Sequence, residues 1–211
     1  MNENLELLIK DVYAGLELLP SDLQGWNGND IIFEEMIVKT RPKLIIEVGT
    51  WKGQSAINMG KLIKLYNLDC KIICIDTWLG SLEFIDDTSQ ERNLHKRNGY
   101  PTIYYQFLSN VVHNDLQDVI IPLPIDSRNA FRYLQKIKIK ADLIYIDGSH
   151  EYNDIYDDVN NYYKLLTDKG VIFGDDYNKA EWIDVVTAIN TYCNQNYKIL
   201  KVKGRFWIIK N

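Results

Sequence analysis

The order of apolar and polar residues divides the chain into segments of two alternating periods. Leu5, Leu8, Ile9, Val12, Leu16 and Leu19 recur at helical spacing, which predicts a helix over Asn4 to Leu19, stopped by Pro20. A polar loop from Gln24 to Asp30 leads to a short helix expected over Ile31 to Lys39. Lys43-Leu44-Ile45-Ile46-Glu47-Val48 is then a short apolar run closed by glycine, the pattern of a strand buried on both faces of a parallel sheet. Ser55 to Tyr66 reads as a helix and Lys71 to Asp76 as a second buried strand. Further strands are expected at Val119 to Leu123, Asp142 to Asp147 and Gly170 to Gly174. Helices are expected over Asn129 to Gln135, Tyr152 to Leu166 and Ala180 to Asn194. Lys198 to Val202 and Arg205 to Ile209 flank Lys203-Gly204 and read as two strands joined by a tight turn.

Strands alternating with helices predict an α/β fold: a Rossmann-like, doubly wound, mostly parallel seven-stranded sheet with a C-terminal antiparallel hairpin. The length of 211 residues suits a single domain over 1–211, with residues 1–40 as an N-terminal helical segment. Thr77 to Asp118 breaks the alternation. It carries Trp78, Phe84, Tyr100, Tyr104, Tyr105 and Phe107, with a helical pattern only over Tyr104 to Val112. Long connections in compact domains tend to be functional, so residues 77–118 read as a lid or substrate-facing insertion.

Composition narrows the partners. A net charge of −5 argues against nucleic acid, and Lys136, Lys138 and Lys140 read as a solvated approach to a strand. No apolar run approaches the roughly 18–20 residues of a membrane span. The N-terminus lacks a signal-peptide core, so a cytoplasmic location is expected. Cys70, Cys74 and Cys193 fit no zinc spacing and read as reduced thiols, and His95 and His113 as structural or solvated. The N-terminal helix is left to pack on its own sheet or on a second copy of the chain, as a homodimer.

In open sheets of this kind ligands bind outside the carboxyl ends of the strands. The segments to inspect are therefore Glu47 to Gly53, Asp76 to Trp78, Asp126-Ser127, Asp147 to His150 and Asp175-Asp176. The first loop holds Gly49 and Gly53 but lacks the third glycine of a dinucleotide fingerprint, and Glu47 would repel a phosphate. That counts against a nicotinamide-dependent dehydrogenase. A carboxylate there suits a cationic amine or sulfonium, and Asp76 suits two ribose hydroxyls.

Glu47-x-Gly49-x-x-x-Gly53, with Asp76 closing the next strand, resembles the S-adenosylmethionine (SAM) site of class I methyltransferases. The resemblance runs on through Asp142-Leu143-Ile144-Tyr145-Ile146-Asp147-Gly148-Ser149-His150 and Gly170 to Tyr177, and covers roughly Gly25 to the C-terminus. It implies that Glu47, Gly49, Thr50, Gly53 and Ser55 form the loop around the methionine part of SAM, with Asp147 close by. It also implies that Asp76 holds the ribose, that Thr77 or Trp78 flanks the adenine, and that Asp126 and Ser127 face the adenine edge.

Asp147, Asp175 and Asp176 end adjacent strands and should converge. Three carboxylates that close repel, and a hard divalent cation such as magnesium relieves them. The layout resembles the metal-dependent O-methyltransferases of the catechol and macrolide-sugar types. The catechol type has Asn where Asp176 stands and a Lys base where His150 stands, whereas the sugar type carries a similar Asp-x-x-His. The expected acceptor is accordingly a hydroxyl on a small molecule or sugar. His150 would take its proton while a metal on Asp147, Asp175 and Asp176 lowers its pKa. Two other readings stay open: a metal-dependent hydrolase built on Asp147, His150, Asp175 and Asp176, and a SAM-binding protein without catalysis. Glu151, Asp154, Asp157 and Asp158 read as a solvated helix face. Trp51 reads as either core or a ligand-stacking ring, and the Trp26-Asn27 loop as a cap that the pattern alone does not assign.

Overall fold

The computed structural model describes residues 5, 6, 8, 11–82, 84 and 92–211. Five parallel strands are β1 (Leu44–Val48), β2 (Lys71–Asp76), β3 (Ile120–Pro124), β4 (Ala141–Ile146) and β5 (Leu166–Gly174). An antiparallel pair follows, β6 (Leu200–Lys203) and β7 (Phe206–Lys210), and the seven strands lie in the order β3-β2-β1-β4-β5-β7-β6. The expected sheet and terminal hairpin are both present.

Side chains on a strand alternate between faces, and the core shows it. Ile46, Ile144 and Ile172 join one buried cluster, while Ile45, Leu143, Val171 and Phe173 join the other. The first cluster is covered by α4 (Ser127–Lys136), α5 (Tyr152–Tyr163) and α6 (Ile183–Gln195), through residues such as Leu134, Val159 and Ile189. The second is covered by α1 (Ile31–Thr40), α2 (Gln54–Leu65) and α3 (Ile103–His113), through Phe33, Ile57 and Phe107. Burial of both faces explains why the strands lack polar alternation. Asp30 and Asp126 start α1 and α4 by accepting the Ile32 and Asn129 amides, at 2.8 and 3.0 Å.

Two expectations are corrected. The helix over Asn4 to Leu19 does not form: residues 11–20 carry no helix, and residues 1–4, 7, 9 and 10 lie outside the described residues. Residues 13–22 instead run as a strap whose polar groups meet α3 and β3. Leu19 N–H donates to Ser109 Oγ at 3.0 Å, Gln106 Nε2 to the Pro20 carbonyl at 2.8 Å, and the Tyr13 hydroxyl to the Ile120 carbonyl at 3.0 Å. Held by these bonds, the segment packs Val12, Tyr13 and Leu16 partly buried against the second cluster without coiling. The stretch from 77 to 118 is also not a lid throughout. Helix α3 is the core helix between β2 and β3, with Ile103, Phe107, Leu108 and Val111 buried. Residues 83 and 85–91 of that stretch lie outside the described residues. Among the described residues, no helix is long and apolar enough to cross a membrane.

Candidate active site

A cleft of about 860 Å³ opens over the carboxyl ends of the parallel strands. It lies where strand order reverses, with β1 between β2 and β4, the place at which loops leave to opposite faces. Its size is near the top of the range for small-molecule sites, enough for a cofactor and a second small ligand.

Gly49 begins the wall. Its φ is +82°, its N–H donates to the Ile75 carbonyl at 2.9 Å, and a Cβ there would stand 2.0 Å from the Asp147 carbonyl oxygen. Only glycine lets the first loop lie against the end of β4. Gly49→Ala is expected to cost about 2–5 kcal/mol, combining left-handed strain with overpacking against backbone. Urea titration checks this, and wild-type stability would contradict it. The next two amides, Thr50 and Trp51, donate to Asp76 Oδ2 at 2.9 and 2.8 Å, and Trp78 N–H donates to Oδ1 at 2.7 Å. A carboxylate offers about four lone-pair sites, so Asp76 ties three amides together and keeps acceptor capacity toward the cleft.

Gly49, Thr50, Ser55, Asp76, Thr77, Asp126, Ser127, Asp147, His150, Asp175 and Asp176 all line this one cleft. Glu47, Gly53 and Trp78 do not. Glu47 is fully buried beneath the loop, where the Ser55 hydroxyl donates to it and the Cys74 thiol lies 3.6 Å away. Burial, with the charges of Asp147 and Asp76 behind it, pushes its carboxyl up to about 8. Burial thus favours its neutral form, and it sits beneath the loop rather than on the cleft wall where a counter-charge to a cationic ligand was expected. Gly53 serves the fold: it precedes α2 with φ +88°, and a Cβ would strike the Phe107 ring at 2.8 Å. Trp78 is core, its ring 4.9 Å from those of Tyr104 and Phe107 and its indole N–H given to the Trp51 carbonyl at 2.7 Å.

Asp147 accepts the Tyr145 hydroxyl at 2.9 Å, and burial together with Asp175 and Asp176 pushes its carboxyl up to about 7. His150 Nε2 lies 2.9 Å from Asp176 Oδ2, and its ring stacks on Trp182 at 3.9 Å and 24°. Asp147, His150 and Asp176 each offer a ligand atom, all within 4.8 Å of one another. Asp175, expected among the metal ligands, lies outside this group. Its buried carboxylate accepts Arg205 Nε and the Asp176 amide instead. Asp175 and Asp176 follow the end of β5, and Asp176 has φ +61°, so the two carboxylates are offset: both reach Arg205, but only Asp176 also reaches His150.

Arg205, which no motif marks, also reaches Asp176 Oδ1 through Nη2. The signal for it lies in the hairpin. Gly174 pairs with Trp207 in the antiparallel register, and Tyr177 N–H donates to the Arg205 carbonyl at 2.8 Å, so residue 205 falls beside residue 176.

The far end of the cleft is acidic. Glu151, Asp154, Asp157 and Asp158 line it, and Asp158 is buried rather than solvated. Burial pushes Asp158 up to about 7 against a hydrogen bond from Ser127, whose carbonyl also accepts the Tyr162 hydroxyl at 2.7 Å. Helix α5 thus anchors the corner that holds Asp126 and Ser127. On the opposite rim Trp51 stacks on Phe84 at 4.4 Å and 17°, with Trp26 6.1 Å from Trp51.

Known proteins share this architecture. The O-methyltransferase NovP superposes with a TM-score of 0.64 at 19% identity, over 85% of this chain and 76% of its own. CalS11, a calicheamicin methyltransferase, gives 0.63 at 17%, over 89% and 80%. An O-methyltransferase from Bacillus cereus in complex with SAH gives 0.60 at 16%, over 100% and 92%. At such identities the likeness is one of fold. In sequence, the uncharacterized protein R132 of Acanthamoeba polyphaga mimivirus is 27% identical over 147 residues. Those residues are 69% of this chain and 57% of that protein, so the match spans little more than half of the relative. Residues 46–177, more than half of the chain and the whole run from β1 to the acidic pair after β5, match the model of a methyltransferase domain. The chain belongs to the methyltransferase-domain family.

Proposed function

We propose that the chain is a SAM-dependent O-methyltransferase acting on a hydroxyl of a small molecule or sugar. The observation that carries this reading is the His150–Asp176 pair, 2.9 Å apart, in the same cleft as the Gly49 loop and Asp76. His150 as base would thus share one cleft with the nucleoside of SAM. The Gly49–Trp51 backbone would border the methionine part of SAM, Asp76 would accept from the ribose, and Asp126 and Ser127 would face the adenine edge.

Asp176, at 2.9 Å from Nε2, and Trp182, stacked on the ring, would hold the His150 imidazole in place to take the acceptor's proton. The acceptor oxygen forms a bond to the methyl carbon as the sulfur–methyl bond breaks, and the sulfonium leaves as a neutral thioether. Alignment of the two substrates in the cleft supplies much of the acceleration, and general-base catalysis a further 10²–10⁴-fold, an order-of-magnitude range.

Two carboxylates and an imidazole form a donor set that fits a divalent cation, with Asp147, Asp176 and His150 as its holders. Such an ion would lower the pKa of the acceptor hydroxyl. The sugar acceptor is supported by the Asp147-x-x-His150 spacing and by the likeness in fold to CalS11, which is described as a TDP-rhamnose 3'-O-methyltransferase.

Methyl-labelled SAM offered with nucleotide sugars, free sugars and catechols tests the reading. Label is expected on a sugar hydroxyl. Label on none, with SAM still bound, would leave a binding protein. Asp76→Ala is expected to weaken SAM binding about ten- to hundred-fold, the worth of a charged hydrogen bond. Unchanged affinity by calorimetry would remove the ribose contact.

A further inference from the structure

The cleft already contains a cation. Arg205 stands at the tip of the β6–β7 hairpin, its carbonyl tied to the Tyr177 amide, and its guanidinium spans two consecutive carboxylates. Nε meets Asp175, whose side chain is 3% exposed, and Nη2 meets Asp176, whose other oxygen faces His150. Both oxygens of Asp176 are thus engaged, one by a permanent charge. The Arg205 side chain itself is 37% exposed and reaches the pair from the solvent side.

We propose that Arg205 is the resident cation of this site and competes with a divalent metal for Asp176. Three carboxylates, Asp147, Asp175 and Asp176, need compensation in a cleft partly closed to water. Arg205 supplies one full charge and bonds to two of them. A divalent ion on Asp147, His150 and Asp176 must either share Asp176 with the guanidinium at close range or displace it. Both routes weaken the ion's binding relative to the same donors without Arg205.

A chemical consequence follows for His150. A ring nitrogen that coordinates a metal holds no lone pair for a proton, so His150 cannot be ligand and base at the same nitrogen. With Arg205 as the counter-charge, Asp176 is neutralised, stays in place to orient the imidazole, and leaves proton transfer to His150. The inference rests on the proposed site and concerns how tightly it would hold an ion, and that competition can be read on the chain alone.

The test is Mn²⁺ binding, by calorimetry and by electron paramagnetic resonance, to the full chain without cofactor or acceptor. Arg205→Gln is expected to bind Mn²⁺ at least ten-fold more tightly than the wild type, and Asp176→Asn added to it is expected to abolish the gain. Arg205→Gln leaves Asp175 buried without its partner and could fold poorly. The double variant Asp175→Asn with Arg205→Gln removes both members of that pair and keeps Asp147, His150 and Asp176. It is expected to show the same ten-fold gain. Equal or weaker Mn²⁺ binding in the folded double variant would overturn the proposal, as would a gain that persists without Asp176. Because no methyl transfer is measured, failure here is separate from failure of the methyltransferase reading, which rests on SAM binding and labelled product.

Discussion

Replacing His150 by alanine is expected to lower methyl transfer by about 10²–10⁴-fold while SAM affinity stays within about two-fold. The two effects separate because of where His150 sits. It follows β4 and faces Asp176 and Trp182, whereas the groups assigned to the nucleoside are Asp76, Asp126 and Ser127 on the other strand ends. Removing the ring does not strand a charge, since Asp176 keeps its ion pair to Arg205. The fold should therefore survive, and the loss should appear in turnover. Single-turnover transfer and SAM calorimetry on the same preparation check both halves. Wild-type turnover in His150→Ala would remove its role as base. A parallel loss of SAM binding would place His150 in the cofactor site.

The second large effect is on stability. Glu47 has an ordinary carboxyl pKa of 4.5, and in the folded chain burial raises it to about 8. Between those values the unfolded chain gives up a proton that the folded chain retains, so stability falls as pH rises through this window and is level outside it. Each pKa unit between the two states is worth about 1.4 kcal/mol, which makes the full loss on the order of 5 kcal/mol. Asp147 and Asp158, both pushed up to about 7, act in the same direction. Glu47→Gln can still accept the Ser55 hydroxyl through its amide oxygen but cannot ionise. The variant is expected to match the wild type at pH 5 within about 1 kcal/mol and to exceed it by several kcal/mol at pH 8. Urea unfolding at pH 5, 6.5 and 8 measures this. Parallel stability curves for the two proteins would show that Glu47 is ionised in the folded state.

Glu47 also shows where the sequence misleads. Its place two residues before Gly49 suggests a charge at the ligand, but β1 is buried on both faces along its whole length, and residue 47 points into the core between α2 and β2. The strands themselves were legible because double burial leaves an unmistakable apolar run: Lys71–Asp76 agrees to the residue, and the other parallel strands begin within a few residues of their expected starts. The N-terminal strap was not legible. Leu5 to Leu19 has helical spacing, but nothing local reveals that Gln106, Ser109 and Asn110, some ninety residues away, will bind its backbone. Trp78 and Phe107 illustrate the same gap, since an aromatic residue reads alike in a core and at a ligand.

The acidic cluster was half legible. Asp147 and Asp176 converge as their strand ends require, and His150 joins them from the loop after β4. The different partners of Asp175 and Asp176 follow from the left-handed turn at Asp176 after β5, which no residue pattern announces. Arg205 required the strand pairing of the terminal hairpin, because a lone arginine at a predicted turn carries no mark of its partners.

The central claim is that the cleft over β1, β2 and β4 binds SAM, and calorimetry of the wild-type chain with SAM, using NAD as the control ligand, tests it most directly. Saturable binding of one SAM per chain with no heat from NAD is the predicted result. No binding of SAM, with or without added Mg²⁺, would contradict the account.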